Sequence, residues 1–187
     1  MNSFNKTAYF IVLALSLCSG TVFSMDIFEA AREGDLARVQ ELIGVDPSVV
    51  RQQDLHGWTP LHWAAFNGCT RVVQVFLCTE AGVNLQNNFG STPLHLAAYC
   101  ARVDVVRVLL AAGADPSIVN RDGLNPLWLA ITQGHEETAN IISDAMEIRR
   151  RAVARVLASA TQPRLGADSP AALLSQDLMA YIVRLSV

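Results

Sequence analysis

Gly57-Trp58-Thr59-Pro60-Leu61-His62-Trp63-Ala64-Ala65 returns as Gly90-Ser91-Thr92-Pro93-Leu94-His95-Leu96-Ala97-Ala98. A worn third copy follows as Gly123-Leu124-Asn125-Pro126-Leu127-Trp128-Leu129-Ala130-Ile131, with both intervals equal to 33 residues. A fixed period of this size describes stacked supersecondary units, none of which can bury its apolar face alone. Of the folds open to a chain of 187 residues, few survive that constraint.

Each unit carries the same local instructions. Threonine caps a helix, and proline fits the first turn, where its missing N–H costs nothing. Leu61, Ala64 and Ala65 recur at helical spacing as Leu94, Ala97 and Ala98, and the alanines permit close helix approach. Gly68 and Gly134 turn the chain, with Ala101 in the equivalent place. A second helix follows with Val72, Val73, Phe76 and Leu77, matched by Val105, Val106, Leu109 and Leu110. Gly113-Ala114-Asp115 ends it with a glycine cap, and Val119 to Gly123 form a hairpin-like turn into the next unit.

Thr-Pro-Leu-His with Ala-Ala, the glycine turn, the Val-Val/Leu-Leu second helix and Gly-Ala-Asp together resemble the ankyrin repeat over about residues 26–144. The resemblance implies an all-α solenoid of helix-turn-helix repeats joined by hairpin-like loops. The units are 25–54 as an N-terminal cap, 55–87, 88–120, and a degenerate C-terminal repeat at 121–144. The first unit keeps Ala30-Ala31, Gly34, Val39 and Leu42 but lacks Thr-Pro-Leu-His. The second has Glu80 in place of the cap glycine and Gly82 two residues late. The fourth substitutes Asn125 for threonine and Trp128 for histidine, and offers Thr138, Ala139 and Ser143 for the usual aliphatic residues.

Outside the repeats, Lys6 closes a short polar stretch, and Ala8 to Leu17 form an uncharged apolar run shorter than the ~20 residues that span a bilayer. Val22-Phe23-Ser24 supplies small residues for cleavage, so residues 1–24 are expected to be a secretory signal peptide and the chain to be exported. An uncleaved N-terminal membrane anchor is the alternative. Asp26-Ile27-Phe28-Glu29 resembles a capping box opening a helix. The net charge of −3 argues against a nucleic-acid surface. Cys69, Cys78 and Cys100 lack metal-ligand or CxxC spacing and are expected to be packing residues, with a free reactive thiol at Cys100 as the minor option.

No catalytic motif is present: the sequence lacks G-x-S-x-G, a phosphate loop and G-x-G-x-x-G. His135-Glu136-Glu137-Thr138-Ala139 begins like H-E-x-x-H, but Ala139 stands where a second zinc ligand is required. Neither an enzyme nor a cofactor is expected. His62 and His95 recur and invite a metal reading; the resemblance implies instead that they hydrogen-bond to backbone and join adjacent repeats. Trp63, Leu96 and Leu129 occupy one equivalent position and are expected in the core.

Ankyrin-type arrays bind through hairpin tips and exposed first-helix positions along a concave surface. Mapped here, the tips place Leu55, His56 and Trp58, then Asn88, Phe89 and Ser91, then Arg121, Asp122 and Leu124. The first helices place Phe66-Asn67, Tyr99-Cys100 and Thr132-Gln133. Trp58, Phe66, Phe89 and Tyr99 are expected to form a connected aromatic strip, of the kind that anchors protein partners. The expectation is therefore a monomeric protein-binding module.

Helical character continues over 145–160, with Arg149-Arg150-Arg151 on a solvated face. Residues 161–168 are a linker, and 169–187 an amphipathic helix with Leu174, Leu178, Tyr181, Ile182 and Leu185 on one face. That last helix either covers the final repeat or recruits a second protein. Leu173 to Ile182 faintly resemble the opening of an F-box-like motif, which would make the chain an adaptor. A self-associating structural domain is a further alternative.

Overall fold

The computed structural model describes residues 27–79 and 81–160, with the side chains of 158–160 left aside. The expected signal peptide, the capping residue Asp26, the Glu80 cap position, the 161–168 linker and the 169–187 helix lie outside the described residues.

Eight α-helices are present among the described residues: α1 (Ile27–Glu33), α2 (Leu36–Val45), α3 (Pro60–Asn67), α4 (Thr70–Leu77), α5 (Pro93–Tyr99), α6 (Val103–Ala111), α7 (Pro126–Thr132) and α8 (Glu136–Ala160). A short 3₁₀ helix at Pro47–Arg51 follows α2. Each odd-numbered helix pairs with the even-numbered one after it. The odd helices also stack on one another in chain order, and so do the even ones. This is the expected all-α solenoid of two helical layers. None of its described helices is long and apolar enough to cross a membrane.

The core lies between units. Leu61, Ala64, Ala65, Leu94, Ala97 and Ala98 have no exposed surface, and neither do Val73, Phe76, Val106 and Leu109 in the second layer. Each leucine, valine or phenylalanine buried this way contributes about 1.5–3 kcal/mol, and each alanine less. Leu77 and Leu110 are only half-buried at the edge. In the last unit Ile142 is fully buried, while Thr138 takes the place of Val72 and Val105 with its hydroxyl unpaired among the described residues. An apolar residue there would avoid that desolvation cost.

Backbone geometry follows the repeat with one exception. Ala101 turns left-handed at φ 53° where Gly68 and Gly134 adopt 82° and 75°. A Cβ in that region costs roughly 1–2 kcal/mol, so this turn is the strained one of the three. The helix α8 runs unbroken for 25 residues. Arg149 on it reaches back 2.7 Å to Asp115, in the loop after α6. Arg150 and Arg151 pair with Glu147 on the same helix at 4.0 and 2.8 Å.

Candidate functional site

Between Pro60 and the second finger, His62 is locked by both ring nitrogens. The backbone N–H of Thr59 donates to Nδ1 at 3.1 Å, which leaves the proton on Nε2, and that N–H donates to the Ser91 carbonyl at 3.0 Å. His62 N–H returns a bond to Thr59 Oγ1, so histidine completes a capping box in the role glutamate usually takes. His95 does the same with Thr92 and reaches the Leu124 carbonyl at 3.1 Å. Burial pushes the His62 pKa down to about 4 and His95 in the same direction. Neutral, hydrogen-bonded and fully buried, neither ring offers a lone pair to a metal.

A second set of bonds repeats at the glycine turn. Cys69, Arg102 and His135 stand 33 residues apart, and each side chain reaches a carbonyl of the preceding unit. Arg102 Nε donates to Phe66 O at 3.1 Å, and His135 Nε2 donates to Tyr99 O at 3.0 Å. Cys69 Sγ lies 3.8 Å from Arg32 O. Three different chemistries perform one joining role.

The fingers form a third set. Asp54, Asn87 and Asn120, again 33 apart, turn each tip by accepting two backbone N–H bonds at 2.8–3.0 Å. Asn88 N–H donates to His56 O and Arg121 N–H to Phe89 O, so neighbouring tips are laced together. At Gly57 a Cβ would meet Asn88 N at 2.9 Å, and at Gly90 it would meet Arg121 N at 2.9 Å, with φ +72° and +75°. Glycine is required at both for its conformation and for its size.

On this frame, the second unit carries an aromatic cluster. The Trp58 ring lies 4.5 Å from Trp63 and 5.6 Å, edge-on, from Phe66. Trp63 Nε1 donates to Asp54 Oδ2 at 3.1 Å, which fixes the indole through the finger's own turn residue. Beside it, Phe28, Glu29, Arg32, Asp54 and Trp63 line a recess of about 330 Å³ between finger and first helices.

A family model of ankyrin repeats, in three copies, matches residues 27–120. The chain belongs to the ankyrin-repeat family. Its curated relatives include Scaffold protein ILK of Homo sapiens, 38% identical over 62 residues, which are 33% of this chain and 14% of that protein. The same protein of Mus musculus matches equally. Protein VAPYRIN-LIKE of Medicago truncatula is 39% identical over 49 residues, 26% of this chain and 10% of its own length. The chain thus spans about a seventh or less of these relatives.

In this ankyrin-repeat array the expected strip divides. Trp58 and Phe66 join Trp63, whereas Phe89 stacks on His56 at 6.4 Å, and Tyr99 makes no ring contact among the described residues. Phe89 is 56% and Tyr99 47% exposed, and neither joins the Trp58–Trp63–Phe66 cluster among the described residues. Asn67 folds back to donate to Trp63 O at 3.0 Å. Leu124 is half-buried, and its carbonyl serves His95. Arg121, Thr132 and Gln133 are exposed, the Thr132 hydroxyl bonding to Leu129 O of its own helix. Cys100 is half-buried, and burial pushes its thiol pKa up, opposite to what a reactive thiolate needs. Cys69 shifts the same way.

Trp63, Leu96 and Leu129 require a correction. All three are half-buried rather than core, and Trp63 turns toward its own finger, meeting Trp58 and Asp54. Trp63, expected in the core, and Asp54, singled out by no sequence argument, instead lie together at the candidate surface. The signal was present in the sequence: at positions occupied by Leu in the other two units, this one has Trp, and at positions occupied by Asn it has Asp.

Proposed function

We propose that this chain is a non-catalytic protein-binding module that holds its partner along the finger and first-helix surface, with Trp58, Trp63 and Phe66 as the anchor. The observation that carries this is the half-exposed aromatic cluster, fixed by Asp54 and adjoining the recess at Arg32 and Glu29. Aromatic residues immobilised before contact concentrate binding energy in a few positions and lose little entropy on association. Membership of a family built for protein recognition supports the reading, and so does a relative named as a scaffold. Phe89 and Tyr99 extend the surface across the next unit, and Arg121, Leu124, Thr132 and Gln133 border it.

Affinity capture with the chain from Met25 onward, followed by mass spectrometry, tests this. Phe66→Ala with Tyr99→Ala should reduce the captured partner at least tenfold while the thermal midpoint moves by only a few degrees. Undiminished capture, or collapse of the fold, overturns it. Export through residues 1–24 belongs to the same proposal, supported by the polar stretch, apolar run and small residues before Met25. N-terminal sequencing of protein recovered outside the producing cell should begin at Met25.

A further inference from the structure

At the far end of the array, the surface that would stack on another repeat is open. Trp128 stands where His62 and His95 stand, and is 53% exposed where they are fully buried. Ile131 stands where Ala65 and Ala98 stand, and is 51% exposed where they are fully buried. Leu127 is half-buried where Leu61 and Leu94 are buried completely. Between them, Gly123, Leu124, Asn125, Leu127 and Trp128 line a shallow recess of about 250 Å³. A terminal unit that faced only water would carry polar residues at these places. This one carries a tryptophan and an isoleucine.

We infer that residues 169–187 of this same chain dock on that end face as an amphipathic helix, with Leu174, Leu178, Tyr181, Ile182 and Leu185 against Leu127, Trp128 and Ile131. Three observations select this occupant. Its apolar residues recur at i, i+4, i+7, i+8 and i+11, the spacing of one helical stripe, and Ser169-Pro170 is a helix-start signal in the sequence. The reach is sufficient: α8 projects beyond the short α7, ending at Ala160, and an eight-residue linker spans up to ~26 Å. A 19-residue helix then returns ~28 Å, enough to run back along α8 to the end face. Finally, covalent attachment gives the segment a millimolar effective concentration, an advantage over any free partner of equal affinity. This face adjoins the proposed partner surface at Leu124 but serves a different purpose: it completes the array with a helix that belongs to no repeat.

Hydrogen exchange on the full chain tests the docking from both sides. Leu178→Asp with Ile182→Asp alters no residue of the repeats, so the array folds as before. Exchange of the α7 amides should accelerate about tenfold, with α3 unaffected. Reciprocally, Ile131→Asp should bring amides 174–185 to the rate of an unstructured peptide. Unchanged α7 exchange in the tail variant, or unchanged tail exchange in Ile131→Asp, overturns the inference. Protection of α7 that rises with protein concentration assigns the face to a second copy and overturns it as well.

Discussion

Positions 62, 95 and 128 are one place in three successive units, yet they hold two kinds of residue. His62 and His95 sit inside the stack, where each closes its own helix and donates to the finger of the following unit. Trp128 closes nothing: Asn125 caps its helix alone by accepting Trp128 N–H at 2.8 Å, and no described finger follows. The difference shows what the histidine is for. Its value depends on a neighbour that presents a carbonyl, and where that neighbour ends the position is released for another use.

The largest contrast should come from deletion. His62→Ala opens a cavity, strands the buried Thr59 N–H and leaves the Ser91 carbonyl with the Asn87 N–H alone, and should cost about 3 kcal/mol of unfolding free energy. Trp128→Ala removes no side-chain hydrogen bond within the array and should cost about 1 kcal/mol. Urea unfolding of the two variants against the unaltered chain checks both values. Equal losses would mean that the histidine contributes only volume.

Acid should weaken the same junctions. His62 in the folded chain has its pKa held near 4, chiefly by burial, against 6.5 when unfolded. Above pH 6.5 neither state is protonated and stability is complete. Between 6.5 and 4 the unfolded chain takes up a proton that the folded one refuses, so stability falls as pH falls. From pH 7 to pH 5 the loss from His62 alone should be about 2 kcal/mol, and His95 adds to it with the same sign. Denaturant midpoints at the two pH values measure it, and His62→Gln should shrink the difference. Trp128 contributes nothing to this dependence.

How much of this was legible beforehand differs by layer. The buried leucines, alanines and valines follow from periodicity because burial between identical units demands identical residues. The histidine bonds are expected from the resemblance to the ankyrin repeat, since recurrence alone fits a metal ligand equally well. The position of Trp63 was not legible from its repeat, because equivalence in register says which helix face a residue occupies and not whether a neighbour covers it. The divided aromatic strip was hidden for a similar reason. Phe89 and Tyr99 are one repeat beyond Trp58 and Phe66, and whether rings touch across that distance depends on side-chain directions that sequence spacing does not set.

The smallest and most diagnostic effect concerns Asp54. Asn87 and Asn120 show that an asparagine Oδ1 turns the finger as well as aspartate does. Asp54→Asn therefore keeps the bonds to His56 N–H and Trp58 N–H, but sets an amide Nδ2 against the Trp63 indole N–H, two donors facing each other. In the neighbouring unit, where Leu96 replaces the tryptophan, Asn87 Nδ2 is already buried without a partner among the described residues. The substitution should cost about 1 kcal/mol and leave the helices intact. Its signature would be a red-shifted, more mobile Trp63 emission in a Trp58→Phe, Trp128→Phe background. Capture of the partner should weaken more than stability does, because the indole is then present but no longer fixed. If emission and capture both stay as they were, Asp54 serves only the finger, and the aromatic cluster is held by its own packing.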